Sequence, residues 1–177
     1  MRLLPWSTVD GKPCYVVGAS GDGPPGPVSR LADLWEARHL LEARTVLGAL
    51  REGPGVLERA DAGRLRAACV RLVWSLARVL RVADSRGERL GRSDEREAAR
   101  LEMAWVLLGH ARDLLITGHG EPFQFRYVVP RLAECLAEAV AVADARAALL
   151  AAGPPGPDED GRALPPAYGG GTIYIWR

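Results

Sequence analysis

Apolar residues recur three and four positions apart along most of the chain, which is the spacing of an amphipathic α-helix. The clearest such segment follows Asp61, a favourable N-cap residue, and continues to Gly87, where we expect a left-handed residue to end the helix. This is the strongest helix prediction in the sequence. Its apolar face carries Leu65, Cys69, Leu72, Leu76, Leu80 and Ala83.

Three more segments predict long helices. Ser29 is a suitable N-cap for the first, and Asp94 with Glu97 has capping-box spacing at the start of the second. Pro130 suits the first position of the last helix, although residues 123–129 could form either an extended stretch or an earlier start of it. The wide apolar arcs of the first and third helices of the chain indicate contacts with more than one neighbour. The three segments are 29–52, 93–117 and 130–152.

Both ends of the chain carry β-strand signals. Residues 1–17 predict a hairpin with an Asp-Gly turn, and the Gly- and Pro-rich stretch 18–28 predicts a loop. After a flexible Pro/Gly linker at 153–171, residues 172–177 contain the strand sequence Thr-Ile-Tyr-Ile-Trp. A lone hairpin is marginally stable, so we expect this last strand to pair with it.

The predicted fold is therefore mainly α. We expect a single domain over residues 1–152, a four-helix bundle-like structure with a small β-hairpin or three-stranded sheet formed by the N- and C-termini. At 177 residues the chain has the size of one domain and can bury a core without disulfides or metals.

The amino-acid composition makes a high arginine content weak evidence of function. Lys12 is the only lysine and asparagine is absent, as expected from a high-GC genome, in particular an actinobacterial one. Such a genome encodes Arg where others encode Lys. The formal net charge of +1 argues against a protein whose whole surface binds a polyanion.

The cysteines and the chain's apolar runs favour a cytoplasmic protein. Cys14, Cys69 and Cys135 are odd in number and far apart, so they indicate neither a disulfide framework nor a zinc site. The opening residues have no apolar signal-peptide region, and no apolar run reaches the length of a membrane-spanning helix.

One short motif could hold a metal. Glu36 and His39 have the E-x-x-H spacing that forms half of a carboxylate-bridged di-iron centre in helical bundles. A second such pair is missing, so a solvated ion pair on a charged helix is the main alternative. The glycines of Val16–Gly23 resemble a dinucleotide-binding turn, but prolines follow them instead of a helix, and we expect no cofactor.

Residues 61–92 hold eight arginines against three carboxylates. Arg64, Arg71 and Arg78 recur every seven residues and Arg81 lies near them, so they form a basic stripe opposite the leucines. The stripe could bind the phosphates of DNA or RNA, or a protein partner. It could equally pair with the acidic segment 93–122 of the same chain.

Part of the first half of the chain resembles a group of small actinobacterial proteins, mainly from streptomycetes. The residues that carry the resemblance are Leu3-Leu4-Pro5-Trp6, Gly11-Lys12-Pro13-Cys14-Tyr15, Val28-Ser29-Arg30-Leu31-Ala32-Asp33 and Ala83-Asp84-Ser85-Arg86-Gly87. No activity is established for that group, so the resemblance implies no catalytic residue.

The sequence favours a non-enzymatic cytoplasmic protein, a regulatory or adaptor component that acts through protein contacts, with itself as one partner in a homodimer. No residue is identified as catalytic. The first alternative is a DNA- or RNA-binding regulator that uses the basic stripe. The second is a metal-dependent helical-bundle enzyme around Glu36, His39, His110 and His119, with Glu36 and His39 as the metal ligands.

Overall fold

The computed structural model describes residues 2–8, 10, 12–16, 26–51, 55, 59–91, 94–117 and 120–152. The fold is mainly helical, as predicted, with four long helices and a small antiparallel sheet. The predicted loop after residue 17, the linker at 153–171 and the C-terminal strand lie outside these residues, apart from the end of the loop. The elements are β1 (Arg2–Ser7), β2 (Pro13–Val16), α1 (Pro27–Arg51), α2 (Ala62–Leu90), α3 (Glu95–Thr117) and α4 (Pro122–Ala152).

Helix α2 lies at the centre of the domain and contacts α1, α3, α4 and β1. Its predicted apolar face is fully buried. The apolar residues that recur at helical spacing in the sequence are therefore core residues. The carboxylate of Asp61 accepts a hydrogen bond from the backbone N–H of Arg64 at 2.8 Å, which confirms Asp61 as the N-cap.

The end of α2 differs from the prediction. The helix continues through Gly87 and ends at Gly91, which has the left-handed φ of +63° expected of a capping glycine. Gly87 is a helical residue against which the guanidinium of Arg146 lies. A Cβ atom at position 87 would come within 2.5 Å of Arg146 Nη1, so any other residue there requires the guanidinium to shift, and glycine is favoured by packing and not by backbone conformation.

The first and last helices begin earlier than predicted. Helix α1 starts at Pro27, so Ser29 is inside the helix and not its N-cap. Helix α4 starts at Pro122, and Pro130 lies within it on the exposed side. At this start the side chain of Gln124 accepts a hydrogen bond from the backbone N–H of Glu121 at 2.9 Å, as in a capping box.

The hairpin packs on the helices rather than standing alone. Strands β1 and β2 pair antiparallel, with Leu3 opposite Tyr15. Leu4 and Val16 are buried together with Ala32 of α1 in a small cluster separate from the main core. The hairpin thereby gains the packing surface that two strands need for stability.

Candidate functional site

A buried carboxylate lies where β1, α1 and α2 meet. Glu36 of α1 is 1% exposed, and its carboxylate accepts hydrogen bonds from three guanidinium groups. Arg86 Nε lies 2.8 Å from Oε2, Arg89 Nη2 lies 3.0 Å from the same oxygen, and Arg2 Nη2 lies 3.1 Å from Oε1. We call Glu36, Arg2, Arg86 and Arg89 the Glu36 cluster.

Other guanidinium nitrogens of the Glu36 cluster bond to backbone carbonyls and to a second carboxylate, whereas Arg2 Nε and Arg89 Nε are buried without a hydrogen-bond partner among the described residues. Arg2 Nη2 is 2.6 Å from Asp33 Oδ1, and Arg86 donates to the carbonyl of Ala143 at 2.8 Å. The hydroxyl of Ser85 lies 2.7 Å from the carbonyl oxygen of Leu3 and 3.1 Å from Glu36 Oε1. Charge-assisted hydrogen bonds of this kind fix the register of the elements that they join.

His39 does not share a partner with Glu36. Its Nδ1 is 3.0 Å from Glu42 Oε2, and burial lowers the pKa of His39, which keeps the ring neutral and the proton on Nδ1 for this hydrogen bond. One ring edge packs on Trp35, which in turn contacts Trp6 of β1.

These contacts bear on the predicted metal site. Both oxygens of Glu36 already accept hydrogen bonds from arginines, whereas a metal-binding carboxylate needs a free lone pair. Within the described ranges, no three His, Cys, Asp or Glu side chains are grouped closely enough to hold a metal ion. The metal site at Glu36 and His39 stays a prediction that these contacts do not support.

The four arginines of the predicted basic stripe have different surroundings. Arg64 and Arg71 are exposed, and Arg64 lies 3.8 Å from the carboxylate of Asp61. Arg78 Nη1 is 3.1 Å from Glu42 Oε2. Arg81 is half-buried and lines a hollow beside β1. Two of the four therefore face solvent, one pairs with α1, and one faces the hairpin.

Helix α1 presents an apolar surface to solvent. Leu31, Leu34 and Leu41 are 56%, 69% and 65% exposed. They share one side of the helix with Ala37 and Arg38, and we call these five residues the α1 face. Such a set of exposed leucines on one helix marks a contact surface more often than isolated apolar residues do.

The charge of the α1 face is neutralised next to it. Arg38 Nε donates to Glu42 Oε1 at 2.9 Å, and the other oxygen of Glu42 accepts from Arg78 of α2. The guanidinium of Arg78 lies 5.9 Å from the ring centre of Trp74, which is itself 61% exposed. These contacts connect the α1 face to the exposed Trp74 of α2.

A cleft of about 710 Å³ opens on another part of the domain, among β1, α2, α3 and α4. Asp84 and Trp105 line both this cleft and an adjoining hollow of about 330 Å³. The buried Arg146 forms part of its wall. The described residues that line it are Leu3, Asp84, Gly87, Glu88, Gly91, Ala98, Leu101, Glu102, Trp105 and Arg146.

Sequence reasoning missed the cleft, although one signal for it was present. Asp84 follows Leu80 by one helical turn, so it interrupts the apolar face of α2 with a carboxylate. An ionisable group on a core-facing stripe is a reason to look for a site. Arg146 is an arginine within an alanine-rich run and gave a weaker signal. Its burial depends on the packing of α4 against α2, which the run itself does not reveal.

Comparisons with known proteins do not indicate what these features do. No family model matches the chain, and no curated protein or solved structure matches it. Within the described part of the chain, every helix is too short or too polar to cross a bilayer.

Proposed function

We propose that this protein is a non-enzymatic, cytoplasmic regulatory or adaptor component, and that its first partner is a second copy of itself. The observation that carries the proposal is the α1 face, where three leucines are each more than half exposed. When another apolar surface covers the exposed leucines of a helical domain, the free energy of the assembly falls.

The spacing of the α1 face suits a two-fold symmetric contact. Leu34 and Leu41 are seven residues apart, about two helical turns, and so lie on one line along the helix. A two-fold axis between positions 37 and 38 of an antiparallel helix pair places Leu34 against Leu41 of the other copy. Ala37 and Arg38 then lie next to the axis, close to the same two residues of the other copy. An isologous contact requires self-complementarity of this kind.

The electrostatics also favour a second copy. Two α1 faces in contact bring two Arg38 side chains together, which would repel if each were unpaired. Here Glu42 accepts a hydrogen bond from Arg38 at 2.9 Å, and Glu42 is only partly exposed. Each copy therefore brings an Arg38 that already has a carboxylate partner, and 25 residues of helix give the contact a length of about 37 Å.

Light scattering of the purified protein tests this proposal. We expect a mass near twice the chain mass of 19.1 kDa. Leu34→Asp should raise the dimer dissociation constant by about a hundredfold or more, since two leucines leave the interface and each contributes about 1.5 kcal/mol or more.

Val106→Asp is the matched control, because Val106 of α3 is 66% exposed and lies outside the α1 face. This variant should keep the dimer. A wild-type monomer at all concentrations, or equal loss of the dimer in both variants, would refute self-association through α1. Binding to DNA that weakens with salt and with Arg71→Ala would favour the nucleic-acid alternative instead.

A further inference from the structure

We propose that the cleft beside Asp84 binds an organic cation, an amine or substituted ammonium group attached to an apolar body. The proposal concerns a surface that shares no residue with the α1 face, so the two can be tested separately. It is carried by the volume of the cleft, its apolar and aromatic wall, and the sign of the charges around it.

The cleft has the size and lining of a small-molecule site. Its volume of about 710 Å³ is within the range of ligand pockets, roughly 300–1,000 Å³. Leu3, Leu101 and Ala98 supply apolar surface, and Trp105 supplies an aromatic ring. Burial of an apolar ligand body against these side chains stabilises the complex. An aromatic ring attracts a cation over its face.

The charges that face the cleft are mostly negative. Asp84, Glu88 and Glu102 all line it, and neither glutamate forms an ion pair with another described residue. Among the residues that the structure describes, Arg146 is the one basic group of its wall, and it is already paired with Glu97. The cleft thus attracts a positive group and disfavours a carboxylate.

Arg146 is held in the wall by its own contacts. Its Nε lies 3.0 Å from Glu97 Oε2, and its Nη1 donates to the carbonyl of Ala83 at 2.8 Å. Gly87 leaves the room that the guanidinium occupies. These partners hold the guanidinium in the wall of the cleft, and Glu97 offsets its positive charge there.

Asp84 is the group that would contact the cation. Burial raises the pKa of Asp84, an effect that a hydrogen bond with Trp105 and the charge of Arg146 partly oppose. Ionised Asp84 is therefore poorly compensated in the free protein, and a bound cation supplies the missing partner. Arg81 lines only the adjoining hollow, which leaves the larger cleft to the positive end of the ligand.

The test uses three molecules that have the same indole body and differ in charge: tryptamine, tryptophol and indoleacetate. Calorimetric titration of the full chain should show tryptamine binding about tenfold tighter than tryptophol, with indoleacetate weakest. Absence of tryptamine binding, or indoleacetate binding as tightly as tryptamine, would overturn the proposal.

Variants locate the binding. Asp84→Asn should remove most of the preference for tryptamine over tryptophol, whereas Glu138→Gln, an exposed carboxylate outside the cleft, should leave it unchanged. Circular dichroism checks the fold of each variant, and Glu102→Gln at the cleft's exposed edge is the second test if Asp84→Asn does not fold. A preference for tryptamine that survives both cleft variants overturns the assignment.

Discussion

Three guanidinium groups surround the carboxylate of Glu36, and they come from two different elements. Arg2 belongs to β1, whereas Arg86 and Arg89 belong to the last turns of α2. Removing the central charge leaves Arg2 and Arg89 with Asp33, which is half exposed, and leaves Arg86 with the carbonyl of Ala143 but no carboxylate among the described residues. The cost of leaving buried charges unpaired is larger than the net contribution of an intact ion pair.

Glu36→Gln should therefore lower the free energy of unfolding by about 3 kcal/mol or more. The measurement is urea denaturation followed by circular dichroism. Glu138→Gln, an exposed carboxylate of α4, is the control and should change the value by less than about 0.5 kcal/mol. Similar values for the two variants would show that the Glu36 cluster does not hold the hairpin against the helices.

His39 gives the fold a pH dependence of known sign. Burial lowers the pKa of His39 from 6.5, so the unfolded chain binds a proton more readily than the folded one. The stabilisation is fully present above pH 6.5 and is lost as the pH falls through the lower pKa of the folded state. His39→Gln should have a flatter stability profile just below pH 6.5, and an unchanged slope would contradict this assignment.

At the scale of elements, two glycines inside helices have opposite requirements. Gly87 lies in α2 with Arg146 Nη1 only 2.5 Å from where a Cβ would stand, whereas Gly109 lies in α3 with open space around it. Alanine is favoured over glycine in a helix by about 1 kcal/mol. The space around each glycine decides whether alanine stabilises the helix or clashes with a neighbouring side chain.

Gly109→Ala should stabilise the protein by about 0.5–1 kcal/mol, and Gly87→Ala should destabilise it because Arg146 must move. Thermal unfolding of the two variants gives the comparison directly. A stabilised Gly87→Ala protein would mean that the guanidinium relocates without loss, and that its place in the wall of the cleft is not fixed.

Helix positions were predictable because their signals are local, but the sequence offered more than one start or stop at several places. The prediction ended α2 at Gly87, but the helix ends at Gly91, and the contact between Gly87 and Arg146 of α4 is a distant one that local signals do not contain. Pro122 and Pro130 are both candidate first residues of α4. The capping hydrogen bond between Gln124 and Glu121 marks the first, a pairing that reading the sequence for apolar periods overlooked.

At the scale of the whole molecule, the candidate sites depend on contacts between distant parts of the chain. Glu36 and Arg86 are 50 positions apart, and their contact requires the relative register of α1 and α2. The sequence showed a charged helix and a basic stripe but gave no means of pairing them. Arg71 and Arg78 therefore shared one prediction, although Arg78 pairs with Glu42 while Arg71 is exposed.

The central claim is that the α1 face joins two copies of the chain about a two-fold axis near Ala37. Facing helices pack with their axes about 8–10 Å apart, and a disulfide joins Cα atoms about 5.5–6 Å apart. Because Cα atoms lie about 2.3 Å from a helix axis, cysteines at position 37 of two copies come within reach of each other.

Oxidative cross-linking of Ala37→Cys tests this claim most directly. The controls are Ala99→Cys, an exposed position on α3, and the wild-type chain with its own Cys14, Cys69 and Cys135. We predict a covalent dimer on a denaturing gel for Ala37→Cys and a single chain for both controls. A single chain for Ala37→Cys, or equal cross-linking of all three proteins, would contradict the account.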